Sequence, residues 1–114
     1  MKTRRTWLFP GAMGVAMLLG ACATLEQLAP PVDDRIIAAA ELRGDARDAA
    51  THGREVFIAE CRGCHSLNTP ASRTEAEWST ILPEMAKKAR LTPAQAADVR
   101  VYIFAARDAA RAAR

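Results

Sequence analysis

The chain has 114 residues, with 16 basic and 13 acidic side chains, and half of its residues are hydrophobic. This length suits one small domain and excludes an arrangement of two. Three basic residues, Lys2, Arg4 and Arg5, lie in residues 1–21, and the remainder holds equal numbers of basic and acidic side chains. Nucleic acids select strongly basic surfaces, so this neutral remainder argues against a nucleic-acid partner.

Residues 1–21 have the features of an export signal. The basic start is followed by an apolar run from Trp7 to Leu19, and small residues precede Cys22. A basic start, a short apolar core and a small-residue exit predict a secretory signal. The alternative is a transmembrane anchor, but the run is shorter than the roughly 20 apolar residues that a membrane-spanning helix needs.

The exit of this signal, LGAC at residues 19–22, resembles the lipobox of bacterial lipoproteins. The resemblance implies cleavage before Cys22 and attachment of lipid to its thiol. We therefore expect a protein of the bacterial cell envelope that is lipid-anchored to the outer or inner membrane and faces the periplasm. Only Cys61 and Cys64 then remain as cysteines without lipid.

Residues 22–32 are predicted to be a tether between the lipid and the folded part. Near its end, Pro30 and Pro31 favour an extended backbone and cannot lie inside a helix. The domain is accordingly predicted to span residues 33–114.

Two helices are predicted in the first half of this domain. The first is an extra N-terminal helix that Asp33 or Asp34 can cap and that ends at Leu42. Its apolar side is predicted to consist of Ile36, Ile37 and Ala40. The second runs from about Ala46 to Cys61.

Gly53 lies in the middle of the second predicted helix. Glycine at such a position costs roughly 1 kcal/mol relative to alanine. Close approach of another helix would explain this residue, and simple tolerance of the cost is the alternative.

A third helix is predicted after the loop that follows His65. Thr74 and Glu77 have the spacing of a capping box. Pro83 removes a backbone hydrogen bond, which predicts a kink, or a break with a new short turn. Four apolar residues follow the spacing of a single helical face: Trp78, Ile81, Leu82 and Met85.

A final helix is predicted from about Pro93 to Ala110, with Thr92 as its N-cap. Its apolar face is predicted to contain Ala97, Val101 and Phe104, with Val99 and Tyr102 beside them. No alternating strand pattern is found in the sequence, so the predicted fold class is all-α.

The motif CRGCH at residues 61–65 has several chemical interpretations. A structural zinc site needs about four ligands, and outside the motif only His52 could contribute another imidazole or thiolate. A redox-active dithiol usually belongs to a βαβ unit, which this chain lacks. A disulfide would suit an exported protein but leaves the adjacent histidine unexplained.

The spacing C-x-x-C-H is the signature of covalently attached c-type haem. Two thiols form thioethers with the two vinyl groups of the porphyrin, and the following histidine is directed at the iron. The sequence therefore predicts one haem c, bonded through Cys61 and Cys64, with His65 as the proximal iron ligand.

From about Ala46 to Ala106, the chain resembles a small class I, monohaem cytochrome c domain. The segment HGREVFIAECRGCH is similar to the first helix of that family, in which a glycine and an aromatic residue precede the haem motif. The segment VYIF is similar to its last helix, with Tyr102 as the aromatic that crosses near Gly53. The resemblance implies a small helical fold packed around the haem, and it gives Gly53 a packing role.

Two further segments contribute to the resemblance. Pro70 resembles the loop proline whose carbonyl orients the proximal histidine. EWSTILPEM is similar to the tryptophan-to-methionine region before the last helix of many short bacterial members. Trp78 could contact a haem propionate or fill the core, and Tyr102 could line the haem pocket or serve in helix packing.

Met85 is the expected sixth ligand of the iron. The other methionines lie in the export signal, and a thioether ligand is typical of cytochromes c. The alternative for Met85 is an ordinary core residue. His52 is the competing ligand, but it lies on the helix beside the haem edge, from which the distal face is difficult to reach.

These expectations describe an electron-transfer protein rather than an enzyme. With both axial positions filled, no site remains for a substrate, and no distal acid–base pair indicates a peroxidase. Its expected partners are redox proteins that donate and accept electrons in brief encounters. The alternatives are a haem-based sensor with an open or labile sixth position, or a fixed cytochrome subunit of a larger redox complex.

Overall fold

The computed structural model describes residues 23–61 and 67–114, and these residues form an all-α fold. No strand occurs within these two ranges, which confirms the predicted fold class. The predicted export signal, Cys22, Cys64 and His65 lie outside them. The helices are α1 (Leu25–Leu28), α2 (Asp34–Leu42), α3 (Arg47–Cys61), α4 (Glu75–Lys88) and α5 (Pro93–Ala112), with a short 3-10 turn at Pro70–Ser72.

The helix starts follow the local capping patterns. Asp33 caps α2, because its Oδ1 accepts hydrogen bonds from the backbone N–H groups of Arg35 and Ile36 at 3.1 and 3.0 Å. Thr74 and Thr92 begin α4 and α5, each with a complete capping box. The predicted starts of the last two helices are therefore confirmed, and of the two candidates for α2 the cap is Asp33.

The core of the domain is the crossing of α3 and α5, where Gly53 makes the closest approach. A Cβ atom at position 53 would lie 1.9 Å from the backbone oxygen of Asp98 and 3.0 Å from Cβ of Tyr102. Only glycine leaves room for the α5 backbone there. The packing role predicted for Gly53 is confirmed. The ring of Phe57 packs against that of Tyr102 with 5.8 Å between centroids.

The buried face of α5 is wider than the predicted one. Ala97 is exposed, so the prediction was wrong at this position, whereas Val101 is partly buried and packs against the core. α5 packs on α3, α2 and the 3-10 turn, and contact with several elements buries more than one stripe of a helix. The buried residues are Val99, Tyr102, Ile103, Phe104, Ala105, Ala106 and Arg107.

α4 continues through Pro83 as one helix. The break considered from the sequence does not occur. Pro83 is exposed, so water can solvate the carbonyl that loses its intrahelical partner. As a result, Met85 remains on the same helix as Trp78.

The segment predicted to be a tether, residues 22–32, packs on the domain over its second half. Ala29 is fully buried, and Leu28 and Val32 pack against the core. Arg54 Nε donates hydrogen bonds to the carbonyl oxygens of Ala29 and Pro30 at 3.1 Å. The packed unit therefore begins about five residues before the predicted domain boundary.

The hydroxyl of Tyr102 donates a hydrogen bond of 2.9 Å to the Pro30 carbonyl. Burial raises the pKa of Tyr102 above its usual value, so the hydroxyl keeps its proton and remains a donor. Because Pro30 and Pro31 prevent a helix, the Pro30 carbonyl has no partner within a helix. Arg54 of α3 and Tyr102 of α5 donate hydrogen bonds to it instead.

We predict that Tyr102→Phe destabilises the domain by about 1 kcal/mol, the usual net contribution of one hydrogen bond. The N-terminal segment should also be released, because one of its attachments to α5 is lost. Denaturant unfolding measures the first effect and limited proteolysis within residues 23–32 the second. Thr51→Ala, which removes an exposed hydroxyl from α3, is the control, and equal behaviour of the two variants would contradict the prediction.

Arg43 joins α4 to the rest of the domain. Its guanidinium donates to Glu75 at the start of α4 at 2.8 and 3.1 Å, and to Asp108 on α5 at 2.6 Å. The same group lies 5.1 Å from the ring centroid of buried Phe104. The hydrogen bond from Arg43 lowers the pKa of Glu75, so this attachment of α4 persists as a charged pair.

Candidate haem site

An apolar cavity lies between the end of α3, the segment that starts at Leu67, and α4. Its volume is about 200 Å³. Nine described residues line it: Phe57, Cys61, Leu67, Asn68, Arg73, Trp78, Ile81, Leu82 and Met85. The four residues predicted to share one face of α4 are all among them, so that prediction is confirmed.

Cys61 is the last residue of α3 and faces this cavity. It is 9% exposed, and apolar Phe57 lies one helical turn before it. The other four residues of the CRGCH motif, 62–65, lie outside the described part of the chain. Cys64 and His65 lie outside the described residues, so their predicted roles stay predictions.

Met85 lies across the cavity from α3, on the wall formed by α4. It also lines a smaller adjoining space of about 10 Å³ together with Cys61, Leu82 and Val99. One methionine and the first cysteine of CRGCH thus face the same apolar space. Residues 24 positions apart are brought together by the return of the chain through α4.

α3 and α4 make little direct contact within the part of the chain that the structure describes. The cavity occupies the space between them, and α4 is attached mainly through α5 and Arg43. The cavity is smaller than the roughly 300 Å³ at the lower end of ligand sites.

The chemistry of the residues that line this cavity suits a covalently attached haem. The walls are almost entirely apolar, as a porphyrin plate requires; the thiol of Cys61 could bond to a porphyrin vinyl group, and the thioether of Met85 is a soft ligand for iron. In the described residues, no group of three or more His, Cys, Asp or Glu side chains is arranged to hold a metal ion.

Trp78 is 4% exposed, and its ring forms part of the cavity wall. Its indole N–H donates a hydrogen bond of 2.9 Å to the carbonyl of Pro70. The indole N–H of Trp78, which was considered as a donor to a haem propionate, therefore already donates to a protein carbonyl. This bond holds the loop after CRGCH against α4, and the Pro70 carbonyl, which can accept two hydrogen bonds, is already engaged once.

Tyr102 and His52 lie at the α3–α5 crossing. Tyr102 packs against Gly53 and Phe57 and donates a hydrogen bond to Pro30. Of the two roles predicted for Tyr102, these contacts favour helix packing over lining the haem pocket. Nδ1 of His52 lies 2.6 Å from a carboxylate oxygen of Asp98 on α5. His52 stands more than two helical turns before Cys61, so its position does not favour ligation of iron in the cavity.

The cavity contains two polar residues that the sequence did not single out, Asn68 and Arg73. Both belong to the segment between CRGCH and α4. Arginine in a loop has many surface roles, and no pattern in the sequence marks this one. A cation next to an apolar space becomes recognisable only when the cavity itself is known.

A larger groove of about 460 Å³ lies between α2 and the end of α5. Most of its lining is alanine, with Arg35, Arg43, Leu42 and Asp108 at its margins. It contains neither sulfur nor imidazole, so the chemistry of CRGCH is associated with the smaller cavity.

Comparison of this chain with protein-family models, curated proteins and solved structures gives no match. The resemblance to cytochromes c therefore depends on the sequence motifs and on the chemistry of the cavity.

None of the described helices is both long and apolar enough to cross a membrane. The predicted export signal and Cys22, the residue predicted to bear lipid, lie outside the described residues.

Proposed function

We propose that this protein transfers electrons through one covalent haem c with His/Met axial ligation. Cys61 and Cys64 form the thioethers, His65 is the proximal ligand and Met85 the distal ligand. The observation that carries the proposal is the apolar cavity between α3 and α4, which both Cys61 and Met85 line. When bound, the haem iron supplies the one-electron change between ferric and ferrous states.

The residues of the chain would tune this couple through ligation and burial. A thioether ligand favours ferrous iron and raises the reduction potential, and apolar walls keep water from the metal. With His65 and Met85 both bound, iron has no vacant position, which suits an electron carrier and leaves no place for a substrate. Donor and acceptor proteins would dock near the haem edge at Cys61.

The N-terminal segment would hold this carrier close to a membrane. If Cys22 bears lipid, only residues 23–27 lie between the lipid and the packed chain that begins at Leu28. These residues span at most about 18 Å when fully extended. The domain would then reach partners at the periplasmic surface of the same membrane more readily than distant ones.

Mass spectrometry of the protein exported from a bacterial host tests the attachment. The wild type should carry the mass of one porphyrin and of lipid. Cys61→Ser and Cys64→Ser should each lose a thioether and much of the bound porphyrin. Cys22→Ser is the matched control, because it should lose the lipid but keep the porphyrin.

Two outcomes would contradict this proposal. Absence of added porphyrin from the wild type would remove the haem altogether. Rapid binding of carbon monoxide by the reduced wild type would indicate an open or labile sixth position, and would favour the sensor over the carrier. Stable copurification with other redox subunits would instead indicate a fixed part of a larger complex.

A further inference from the structure

Arg73 is the only charged residue among the described residues that line the haem cavity. Its neighbours in the wall are apolar, apart from the exposed amide of Asn68, and Trp78 uses its N–H for Pro70. Both polar groups come from the loop before α4. The cavity is therefore amphipathic, with its polar side formed by this loop and its apolar side by α3 and α4.

The backbone of Arg73 is held in place by α5. The buried Arg107, 8% exposed, donates from Nε to the Arg73 carbonyl at 3.0 Å. The loop is fixed a second time by the bond from Trp78 to Pro70. A side chain on such a doubly fixed loop is well placed to orient a ligand.

Arg73 is a partly buried residue, and its guanidinium has no hydrogen-bond partner within residues 23–61 and 67–114. The carboxylate of Glu77 feels the charge of Arg73. That carboxylate is engaged elsewhere, accepting hydrogen bonds from the backbone N–H and the hydroxyl of Thr74 at 2.7 and 2.9 Å. The donors of Arg73 are thus available to an anionic ligand.

We infer that Arg73, assisted by Asn68, binds a carboxylate of the haem and thereby orients the haem in the cavity. The inference rests on the proposed function. A haem has two carboxylates on one edge and is otherwise apolar, which matches the distribution of polar and apolar groups around this cavity. Arginine binds carboxylates through charge-assisted and often bidentate hydrogen bonds.

Arg73→Gln should lower the midpoint reduction potential of the purified holoprotein. The guanidinium opposes the additional positive charge of ferric iron, so its loss favours the oxidised state. Arg73→Lys keeps the charge and should retain most of the wild-type potential. Arg47→Gln is the matched control, because Arg47 begins α3 about 21 Å along the helix axis from Cys61 and should leave the potential unchanged.

Infrared difference spectra between the reduced and oxidised protein test the contact itself. A carboxylate band should shift in Arg73→Gln and remain in place in Arg47→Gln. The same band should persist in Glu77→Gln, which separates a haem carboxylate from the nearby side chain.

The inference would be wrong if Arg73→Gln matched Arg47→Gln in both potential and carboxylate band. It would also be wrong if Arg73→Lys lowered the potential as much as Arg73→Gln, since charge would then not be the cause. Either result in a protein that carries the porphyrin mass leaves the proposed function intact. Absence of the porphyrin from the wild type would overturn both.

Discussion

Replacing Gly53 with alanine should destabilise the domain by about 3 kcal/mol, at the upper end of the usual cost of overpacking a core. The added methyl group would lie 1.9 Å from the backbone oxygen of Asp98 and 2.5 Å from its carbonyl carbon. Backbone cannot move aside as a flexible side chain can, so α3 and α5 must separate. Denaturant unfolding of the purified protein measures this loss.

The sign of this effect distinguishes packing from helix propensity. Alanine is intrinsically the better helix former by roughly 1 kcal/mol. If no other helix lay close to position 53, Gly53→Ala would therefore stabilise the domain. Ala59→Gly, at an exposed position of the same helix, is the control and should cost only about that propensity difference. A Gly53→Ala protein as stable as the wild type would show that the two helices are not in close contact.

Met85→Leu should remove the sixth iron ligand while leaving the cavity wall nearly unchanged. Leucine and methionine exchange in cores for less than about 1.5 kcal/mol, so the fold should survive. The ferric wild type should show a weak absorption band near the red end of its spectrum if iron has His/Met ligation. In Met85→Leu this band should disappear, and the reduced protein should bind carbon monoxide rapidly. The potential should fall by on the order of 0.1–0.3 V, part of the roughly 0.8 V range that axial ligands control.

Ile81→Leu provides the control for this experiment, because Ile81 lines the same cavity without offering sulfur to the iron. Its spectrum and potential should match those of the wild type. If Met85→Leu kept the red band, Met85 would be a wall residue only, and another side chain would hold the sixth position.

The sparse contact between α3 and α4 bears on the proposed Met85 ligand. α4 is attached to the rest of the domain through α5, through Arg43, which bonds to both Glu75 and Asp108, and through the Trp78 bond to Pro70. If these attachments opened, α4 could move away from α3. The strength of the iron–sulfur bond would then decide whether the protein behaves as a closed carrier or as a sensor with a labile ligand.

Several features of this protein were determined by short stretches of sequence alone. Thr74 and Thr92 cap the helices that follow them, because the cap side chain accepts a hydrogen bond from a backbone N–H only three residues away, wherever the helix packs. Trp78 and Met85 lie seven residues apart, and this spacing places them on one face of any continuous helix. The CRGCH motif carries its chemical prediction in five consecutive residues.

Other features were decided only by tertiary contacts. Residues 28–32 have the composition of a tether, yet Arg54 and Tyr102 from distant helices bond to the carbonyls of this segment. Nothing in the loop sequence marks Arg73, and only the folded chain shows that it lines the cavity. The buried face of α5 likewise follows from its packing against several other elements.

Whether a feature could be predicted from the sequence depends on how far apart in the chain its interacting residues lie. Capping boxes, helical spacing and the CRGCH motif involve residues a few positions apart, so the local sequence largely determines them. Docking of residues 28–32, the Gly53 crossing and the cavity between α3 and α4 depend on groups far apart in the chain. Such contacts exist only once the helices have packed, and their geometry decides which of several compatible side-chain roles each residue adopts.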